Sequence, residues 1–448
     1  MTILGVKMAG IYKAYDIRGT YPDQFNEDKA NKAGKALHTI LEPGPVVIGR
    51  DMRPSSLLLQ KALIDGLLVS GRDVIDIGLI STPMINFSTV FLKTAGGAQV
   101  TASHNSKEYN GVKFCRRGAI PISYDSGIDT IELLSQKNEW KIASQKGTLT
   151  QKNMLEQYAQ HVLSFNTDVK PLTIVVDAGN GMGGYTTNAV FGKLPIKIIP
   201  LYFELDGTFP NHDANPLEEK NMYDLQKAVV QHKADFGIAY DGDADRAMFV
   251  DNEGALVTAD LTTALIAQEF LESYPGATIL YDLRSSWVVK EEVTRLGGKA
   301  IMTRVGHSFI KQHLRQVNGV FAGELSGHFY FKDNFFTDSA DLAFLKIINL
   351  VSHKNKKLAE LVRPLRRYFA SGEINSHVHD PEAVMLRIQQ KYKGEKILHL
   401  DGLSIEFKDW WFNIRKSNTE PVLRLNMEAP TQSEMESKRD ELLAEIRR

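Results

Sequence analysis

Short apolar runs alternate with longer stretches of helical spacing along most of the chain. In its first third, the runs at 45–51, 73–80 and 97–105 each predict a buried strand that ends in a polar turn. The segment between the first two runs has apolar residues at helical spacing and ends at Gly71. Strands that alternate with helices are typical of a largely parallel sheet with crossover helices.

The same plan recurs twice farther along the chain. Two more sets of three apolar runs lie at 172–181, 196–204 and 234–246, and at 277–286, 299–308 and 319–328. In each set the third run leads into an unusually polar loop. We therefore predict an α/β protein with three tandem mixed α/β domains of similar core and a smaller C-terminal α+β domain. The predicted domains are residues 1–148, 149–251, 252–366 and 367–448.

Composition and charge exclude several classes of protein. The 448 residues contain 53 Lys+Arg and 54 Asp+Glu, so no basic excess favours nucleic acid or an anionic membrane. The single cysteine, Cys115, excludes an internal disulfide and a cysteine-based zinc cluster. No stretch reaches the ~18 apolar residues of a membrane span, and the N-terminus lacks the pattern of a signal peptide. We expect a cytoplasmic protein with no nucleic-acid or membrane partner.

The first polar loop, TASHN at 101–105, places Ser103 just beyond an apolar strand. An exposed serine there suits a nucleophile or a phosphoryl carrier. Lys113 follows ten residues later, where a cation serves an anion or a proton transfer. The alternative is a polar turn that caps the next helix.

The second polar loop, DGDADR at 241–246, carries three carboxylates at alternate positions: Asp241, Asp243 and Asp245. Clustered carboxylates favour a hard cation such as Mg²⁺ or Ca²⁺. A calcium-binding EF-hand needs glycine at the sixth position and glutamate at the twelfth, and here Arg246 and Asn252 stand there. The loop therefore favours a metal with an open position for a phosphate, and Arg246 offers a fork for phosphate oxygens. The alternative is a solvated acidic turn.

The third polar loop, GELSGH at 323–328, offers Glu324 and Ser326 as ligands for sugar hydroxyls. His328 at its end, and His307 after the neighbouring strand, are candidates for acid or base catalysis near neutral pH. A lone histidine is more often structural, so each of the two also has that simpler interpretation.

A fourth segment, RKSNTEPVLR, resembles a cradle for an anion because hydroxyls, backbone N–H groups and guanidinium groups match the acceptors of a phosphate. Its candidate ligands are Arg415, Ser417, Asn418, Thr419 and Arg424. The alternative is a polar hairpin turn. Near the N-terminus, the segment YDIRG adds Arg18 as a candidate cleft residue.

Together these motifs form the parts of an enzyme that moves a phosphoryl group on a phosphosugar. TASHN, DGDADR, GELSGH and RKSNTEP occur in the order of the α-D-phosphohexomutase family, which the chain resembles over essentially its whole length. The resemblance implies four domains around a central cleft and an isomerase that interconverts hexose 1-phosphate and hexose 6-phosphate, with mannose or glucose as the sugar. It also implies a phosphoserine, Mg²⁺, a hexose 1,6-bisphosphate intermediate that acts as activator, and a monomer or small homo-oligomer.

The resemblance assigns roles residue by residue. Ser103 matches the serine that cycles between free and phosphorylated forms, and its phosphate joins the three aspartates as a Mg²⁺ ligand. Glu324 and Ser326 match the sugar-binding loop. The other matches are Arg246 after the metal loop, the phosphate-holding residues Arg415, Ser417, Asn418 and Thr419 with Arg424 behind them, and the acid–base and cleft candidates Arg18, Lys113, His307 and His328.

Two positions depart from the family pattern or refine it. Ser106 stands where the family usually has proline, so we expect a slightly looser turn but no lost catalytic group. Leu325 resembles the methionine of members that accept both mannose and glucose phosphates. The alternatives are a phosphoglucosamine mutase, a phosphatase that uses Ser103 as nucleophile, and a non-catalytic sugar-phosphate binding protein.

Overall fold

The structure is a computed structural model of the chain. It describes residues 10–138, 140, 142–416 and 422–448. The chain divides into two compact units, which we call unit 1 (residues 1–257 and 326–359) and unit 2 (258–325 and 360–448).

Unit 1 begins with a mixed α/β layer. Its strands are β1 (Ile17–Thr20), β2 (Val46–Arg50), β3 (Val74–Leu79), β4 (Gly96–Val100), β5 (Tyr109–Arg116), β6 (Ile120–Pro121) and β7 (Leu149–Gln151). Its helices are α1 (Glu27–Ile40), α2 (Ser56–Val69), α3 (Thr82–Phe91) and α4 (Ile128–Lys137). The strand order is β1-β5-β4-β2-β3-β7, with β6 beside β5. Every residue of β4 is buried, as expected for a central strand covered by helices on both faces.

The second sheet of unit 1 has the order β12-β11-β10-β8-β9. Its strands are β8 (Leu172–Asp177), β9 (Ile196–Leu201), β10 (Phe236–Tyr240), β11 (Ala247–Asp251) and β12 (Leu256–Val257). Its helices are α5 (Leu155–Leu163), α6 (Gly183–Phe191) and α7 (Tyr223–His232). In this sheet and the first, the central strands pair in parallel, and a hairpin then turns the chain back antiparallel, β4 to β5 and β10 to β11. These hairpins make the sheets mixed rather than largely parallel.

Unit 2 begins with a third α/β segment, in which β13 pairs in parallel with both β14 and β15. The elements are α8 (Ala259–Ser273), β13 (Thr278–Asp282), α9 (Trp287–Arg295), β14 (Lys299–Thr303), α10 (His307–Gln316) and β15 (Phe321–Gly323). The chain then returns to unit 1 for β16 (Phe329–Phe331), β17 (Thr337–Asp338) and α11 (Ala340–Lys354), and α12 (Leu358–Val362) follows.

The C-terminal part of unit 2 is an antiparallel sheet of order β18-β23-β22-β21-β20, with β19 also paired to β23. The elements are β18 (Phe369–Ala370), β19 (Ile374–His377), α13 (Pro381–Lys391), β20 (Lys396–Leu398), β21 (Leu403–Glu406), β22 (Trp411–Lys416), β23 (Val422–Ala429) and α14 (Gln432–Arg447). Residues from the sheet and both helices share one core, including Ile388, Phe412 and Leu442. This segregation of helices and antiparallel strands confirms the predicted α+β domain.

Each of the nine predicted apolar strands overlaps an observed strand, and the predicted fold class is confirmed. The four domain boundaries stay predictions. No helix among the described residues combines the length and apolar character needed to cross a bilayer.

Candidate active site

Ser103 lies in the loop after β4, and its backbone is strained. Its φ of +51° is in the left-handed region, which costs a non-glycine residue roughly 1–2 kcal/mol. The residue is buried, and its Oγ donates a hydrogen bond to Asp241 Oδ2 over 2.9 Å. Strain of this kind persists only where the surroundings enforce it, and it often marks a functional position.

The loop after β10 brings its three aspartates together as the sequence predicted. Asp241, Asp243 and Asp245 are buried, and one oxygen of each lies within 4.8 Å of the others. Asp241 Oδ1 accepts hydrogen bonds from the backbone N–H groups of Asp245 and Arg246, each over 3.1 Å, which fix the turn. Asp241 thus fixes the backbone of its own loop, and oxygens of all three aspartates lie close to one another.

A glycine lets this metal loop approach the serine loop. A Cβ at Gly242 would lie 2.5 Å from the carbonyl oxygen of Ser103, closer than atoms can pack. The absence of a side chain at this position therefore sets the distance between the two loops.

The three carboxylates fit a divalent cation. Within the described part of the chain, the buried Oδ1 of Asp243 has no hydrogen-bond partner. An unsatisfied carboxylate oxygen in a buried site is costly unless a cation or donor meets it. Hard carboxylate oxygens are the ligands that Mg²⁺ prefers, so the donor set suits Mg²⁺.

Lys113 on β5 is the cation closest to this cluster. Its Nζ lies 2.6 Å from Asp243 Oδ2 and 2.6 Å from Asp245 Oδ2. Burial alone would lower the pKa of Lys113, but the charges of these two carboxylates outweigh it and raise that pKa above its usual value. The side chain is therefore an ammonium group, which can donate a proton but not accept one.

The aspartates have opposite pKa shifts although they share one site. Burial raises the pKa of Asp241 well above its usual value, and the charges of Asp245 and Asp243 raise it further. Burial also opposes ionisation of Asp245, but Lys113 and His328 outweigh it and hold the pKa of Asp245 well below its usual value. The cluster thus separates into one carboxyl that resists ionisation and one that is firmly ionised.

Four further residues of the predicted site lie around the cluster in unit 1. Arg18 Nη1 donates to Asn105 Oδ1 in the serine loop over 2.6 Å, and Arg246 Nε lies 3.7 Å from Asp241 Oδ2. His328 Nε2 lies 3.2 Å from Asp245 Oδ1, and its Nδ1 lies 3.0 Å from Ser326 Oγ. Unit 1 therefore brings together two serines, three carboxylates, two arginines, a lysine and a histidine.

Two residues next to Ser103 and Asp243 were absent from the predicted site. His104 Nδ1 lies 3.4 Å from Ser103 Oγ. Burial lowers the pKa of His104 well below its usual value, and Arg246 and Arg18 lower it further, so the imidazole is neutral. Thr82, at the start of α3, bonds to Asp243 through both its hydroxyl and its backbone N–H. His104 adjoins the predicted serine in sequence, whereas nothing in the sequence pointed to Thr82.

Unit 2 contains a second charged cluster, with the signs reversed. Glu373 accepts a hydrogen bond from Arg415 Nη2 over 2.8 Å, and its other oxygen lies 3.0 Å from Arg424 Nη1. Arg284 Nη1 lies 3.8 Å from Glu373, and Arg284 Nη2 lies 3.4 Å from Glu324. Burial alone would raise the pKa of Glu373, but the three arginines outweigh it and lower that pKa.

Asp282, at the end of β13, holds Arg284 in place. Its carboxylate accepts hydrogen bonds from the Arg284 backbone N–H over 2.7 Å and from Arg284 Nη2 over 2.8 Å. It also accepts one from the backbone N–H of Leu325 over 2.7 Å, which anchors the loop that carries Glu324. Asp282 thus positions both Arg284 and the loop that carries Glu324.

The remaining predicted residues are His307 and three residues of the fourth polar segment. His307 is half-buried at the first position of α10 in unit 2. Ser417, Asn418 and Thr419 lie outside the described residues.

Together, the α/β layers and the buried serine beside a carboxylate cluster define a phosphoryl-transfer enzyme. Four profiles of one family match successive parts of the chain: phosphoglucomutase/phosphomannomutase alpha/beta/alpha domains I, II and III at residues 10–141, 156–254 and 258–368, and the C-terminal domain at 373–445. The chain belongs to the phosphoglucomutase/phosphomannomutase family, whose members are isomerases.

Individual proteins agree with this assignment. The chain is 42% identical over 422 residues to a protein named phosphohexose mutases from Xanthomonas campestris, covering 93% of this chain and 94% of that one. It is 40% identical over 430 residues to the phosphomannomutase of Salmonella typhimurium, with the same two coverages of 93% and 94%.

Solved structures share the fold. A phosphoglucomutase/phosphomannomutase family protein from Burkholderia thailandensis superposes with a TM-score of 0.91 and 29% identity, over 98% of this chain and 97% of that one. The N-acetylphosphoglucosamine mutase of Aspergillus fumigatus, in complex with glucose 1,6-bisphosphate, has a TM-score of 0.61 and 13% identity, over 99% and 96%. At that identity the second likeness concerns the fold alone.

Proposed function

We propose that this chain interconverts hexose 1-phosphate and hexose 6-phosphate of mannose or glucose, through a phosphorylated Ser103 and a hexose 1,6-bisphosphate. The observation that carries this proposal is the 2.9 Å hydrogen bond from Ser103 Oγ to Asp241, within a cluster of three buried carboxylates. The relatives named phosphohexose mutases and phosphomannomutase support the sugar-phosphate substrate. They favour it over the glucosamine phosphate of the rival interpretation.

The reaction consists of two transfers of opposite direction. In the first, the bond between phosphorus and Ser103 Oγ breaks while a bond from phosphorus to a free sugar hydroxyl oxygen forms. The proton of that hydroxyl passes to a base, and Oγ recovers a proton. The product is a hexose 1,6-bisphosphate, which turns over and returns its other phosphoryl group to Oγ in the second transfer.

Residues of unit 1 supply charge and proton transfer for these steps. Mg²⁺, held by Asp241, Asp243 and Asp245, would neutralise charge on the transferring phosphoryl group. Lys113, an ammonium group 2.6 Å from two of these carboxylates, adds a positive charge to the site. His104 Nδ1 lies 3.4 Å from Oγ, so its neutral imidazole can remove the proton of the Ser103 hydroxyl in the second transfer. The protonated imidazole then returns that proton to Oγ in the first transfer of the next cycle. His328 and His307 are the candidates for the base at the sugar hydroxyl.

Residues of unit 2 recognise the substrate. Glu324 and, from unit 1, Ser326 bind sugar hydroxyls, whereas Arg415 and Arg424, with Ser417, Asn418 and Thr419, hold the phosphate that does not react. Arginine suits this role because its planar fork matches two phosphate oxygens. Hexose 1,6-bisphosphate serves as activator because it phosphorylates Ser103. Leu325 is consistent with both mannose and glucose as the sugar, and we place the enzyme in the cytoplasm.

Replacement of Ser103 tests the proposal directly. Purified protein would be assayed with Mg²⁺ and a trace of glucose 1,6-bisphosphate, on mannose 1-phosphate, glucose 1-phosphate and glucosamine 1-phosphate separately. Ser103→Ala is expected to abolish turnover of the first two, because the phosphoryl carrier is gone. The matched control is Ser70→Ala, which removes an equally buried hydroxyl that bonds only to a helix carbonyl, Gly66 O, over 2.9 Å.

The outcomes separate the rival functions. Full activity of Ser103→Ala would sink the phosphoserine mechanism, and turnover of glucosamine 1-phosphate alone would assign a phosphoglucosamine mutase. Net release of inorganic phosphate would indicate a phosphatase. Binding without turnover of any sugar would leave a sugar-phosphate binding protein.

A further inference from the structure

Arg53 lies in the loop after β2, far from Ser103 in sequence, yet it contacts the serine loop along its whole length. Its side chain is fully buried. The guanidinium donates hydrogen bonds to four backbone carbonyl oxygens of one short segment: Ser103 over 2.8 Å, Asn105 over 2.5 Å, Ser106 over 2.7 Å and Tyr109 over 3.0 Å. We call these four contacts the Arg53 clamp.

The clamp satisfies three carbonyl groups of the loop between β4 and β5 and that of Tyr109, the first residue of β5. Buried carbonyl groups in irregular backbone must find donors, and a guanidinium offers five N–H groups in a fixed plane. Here four of these carbonyl groups point at one side chain. A lysine has the same charge but no planar fork, so it cannot reproduce the pattern.

Arg53 is itself held rigidly. Its Nε lies 3.2 Å from Asp51 Oδ2, and Asp51 Oδ1 accepts hydrogen bonds from the Arg53 backbone N–H over 3.1 Å and from Ser56 Oγ over 2.5 Å. The ring of Phe209 covers the guanidinium, with its centre 5.0 Å from the central carbon. The clamp is therefore a fixed support rather than a flexible side chain that happens to reach the loop.

This support acts on the residue whose backbone is strained. Ser103 keeps a φ of +51° although a relaxed conformation is lower in energy by roughly 1–2 kcal/mol. Its carbonyl oxygen is caught between the Arg53 guanidinium at 2.8 Å and the backbone of Gly242, where even a Cβ would clash. Because the carbonyl group of Ser103 is fixed, its side chain is held so that Oγ donates to Asp241 Oδ2.

We propose that Arg53 is a positioning residue for phosphoryl transfer, which holds the backbone of 103–109 so that Ser103 Oγ keeps its place beside the carboxylate cluster. The inference rests on the proposed function of Ser103. Arg53 acts through the loop and need not touch the sugar phosphate. It also stiffens the turn in which Ser106 replaces a proline, by holding the carbonyl group of that serine.

Arg72 provides a matched control in the same domain. It is also buried, and its guanidinium also donates to four carbonyl oxygens, those of His38, Leu41, Glu42 and Gly44 at the end of α1. It contacts neither the serine loop nor the metal loop. Arg53→Lys and Arg72→Lys thus both disrupt a guanidinium group that donates to four backbone carbonyl oxygens. Only Arg53→Lys does so beside the proposed active site.

The experiment compares kcat, KM and Tm of both variants on glucose 1-phosphate, together with intact-mass measurement of phosphorylation after incubation with glucose 1,6-bisphosphate. Arg53→Lys is expected to lower kcat about 100-fold, since misplacing a reacting group by about 1 Å has that effect. KM should stay within about threefold, because the loop and not the substrate pocket is altered. Arg72→Lys should lower Tm to a similar degree and leave kcat within about twofold.

The outcomes are distinguishable from failure of the proposed function. An inactive Ser103→Ala together with an unchanged kcat in folded Arg53→Lys would overturn the clamp and leave the function standing. An active Ser103→Ala would remove the function itself. Equal kcat losses in Arg53→Lys and Arg72→Lys would also overturn the inference, because they would show general destabilisation.

If Arg53→Lys does not fold, a milder variant tests the inference instead. Ser56→Ala removes the hydroxyl that donates to Asp51 and accepts a hydrogen bond from Asn110 Nδ2 over 3.0 Å, while Asn110 keeps its bond to Ser55 Oγ over 2.8 Å. A fall of several-fold in kcat at unchanged KM and Tm would support the inference, and an unchanged kcat would overturn it.

Discussion

The two charged clusters of this enzyme are opposites in sign but alike in plan. In unit 1, three buried carboxylates gather around the single ammonium group of Lys113. In unit 2, three guanidinium groups gather around the single carboxylate of Glu373. Like charges at such distances repel strongly, so each cluster depends on groups of opposite charge. In unit 1 these are Lys113 and Arg246, and in unit 2 Glu373 is joined by Asp282 and Glu324 beside Arg284. A cation that enters the first cluster competes with Lys113, and an anion that enters the second competes with Glu373.

The clusters differ in how the chain assembles them. All three carboxylates of unit 1 come from one six-residue loop, at alternate positions of a single turn. The arginines of the unit 2 cluster come from separate elements: Arg284 follows β13, Arg415 lies in β22 and Arg424 lies in β23. The carboxylates of the first cluster stay together if one loop keeps its conformation. The arginines of the second cluster meet only if three separate segments are correctly placed relative to one another. Replacing single charges tests this contrast.

The largest effect is expected from Asp243→Asn in the first cluster. The amide keeps the shape but removes a charge and a metal-ligand oxygen, so kcat should fall about 100-fold to 1,000-fold and its dependence on Mg²⁺ should weaken. Titration of activity with Mg²⁺ measures both. The control is Asp251→Asn, another buried aspartate of the same hairpin, whose carboxylate accepts hydrogen bonds from the backbone N–H groups of Glu253 and Ala255, each over 3.0 Å. An unaltered Mg²⁺ response in Asp243→Asn would remove it from the metal site.

A buried carboxyl held by N–H donors, Glu428, sharpens the comparison inside unit 2. Glu428 on β23 accepts hydrogen bonds from the backbone N–H of Trp287 over 2.9 Å and from Trp411 Nε1 over 3.0 Å. Burial raises the pKa of Glu428 to about 7, the opposite of the direction for Glu373. Because the unfolded chain ionises near ~4.3, stability from this group falls as the pH rises from about 4 to 7.

Glu428→Gln tests whether Glu428 makes the protein less stable as the pH rises. Glutamine resembles the protonated acid, so the variant should match the wild type below about pH 4 and exceed its free energy of unfolding by up to roughly 3 kcal/mol at pH 8. Denaturant unfolding at several pH values measures the difference. A gap that is constant with pH would show that Glu428 is ionised throughout.

Glu373→Gln should give a smaller effect with the reverse pH dependence. The pKa of Glu373 is lowered, so its contribution is present above about pH 4 and is lost as the pH falls through the folded value. We expect a loss of about 1–2 kcal/mol at pH 7, since hydrogen bonds to charged groups have that size. Added inorganic phosphate should recover more Tm in this variant than in the wild type, because an anion replaces the missing charge.

The control for that experiment is Glu382→Gln. Glu382 pairs with Lys416 on the same domain, but both side chains are more than half exposed, so the change in stability should be close to zero. Equal recovery by phosphate in Glu373→Gln and the wild type would contradict the idea that Glu373 competes with an anion.

The sequence alone was sufficient to predict site residues that lie close together along the chain. The carboxylates of unit 1 alternate along one turn, and the apolar runs before them carry the strand period, so loop and strands were both predictable. Lys113 lies across a hairpin from the serine loop and was also found. The antiparallel return strands were missed because an apolar run does not reveal the direction of its partner.

Sequence was insufficient where contacts join distant segments. Arg53 meets carbonyl groups 50 to 56 positions away, and Thr82 meets Asp243 at a separation of 161. Glu373 and Arg284 stand in segments with no motif of their own, and only the fold brings them to Arg415 and Arg424. Every residue has a backbone carbonyl group, so the sequence does not show which carbonyl groups accept a hydrogen bond from a side chain. No spacing rule therefore identifies a residue such as Arg53.

The close approach of Gly242 to Ser103 also limits how this enzyme can evolve. Asparagine or glutamate at either neighbouring aspartate would still offer an oxygen ligand, whereas a Cβ at position 242 would lie 2.5 Å from the carbonyl oxygen of Ser103. Any lineage that acquires even alanine there must first move the serine loop, and with it the reacting atom. The least replaceable residue of the metal loop is then the one that carries no functional group.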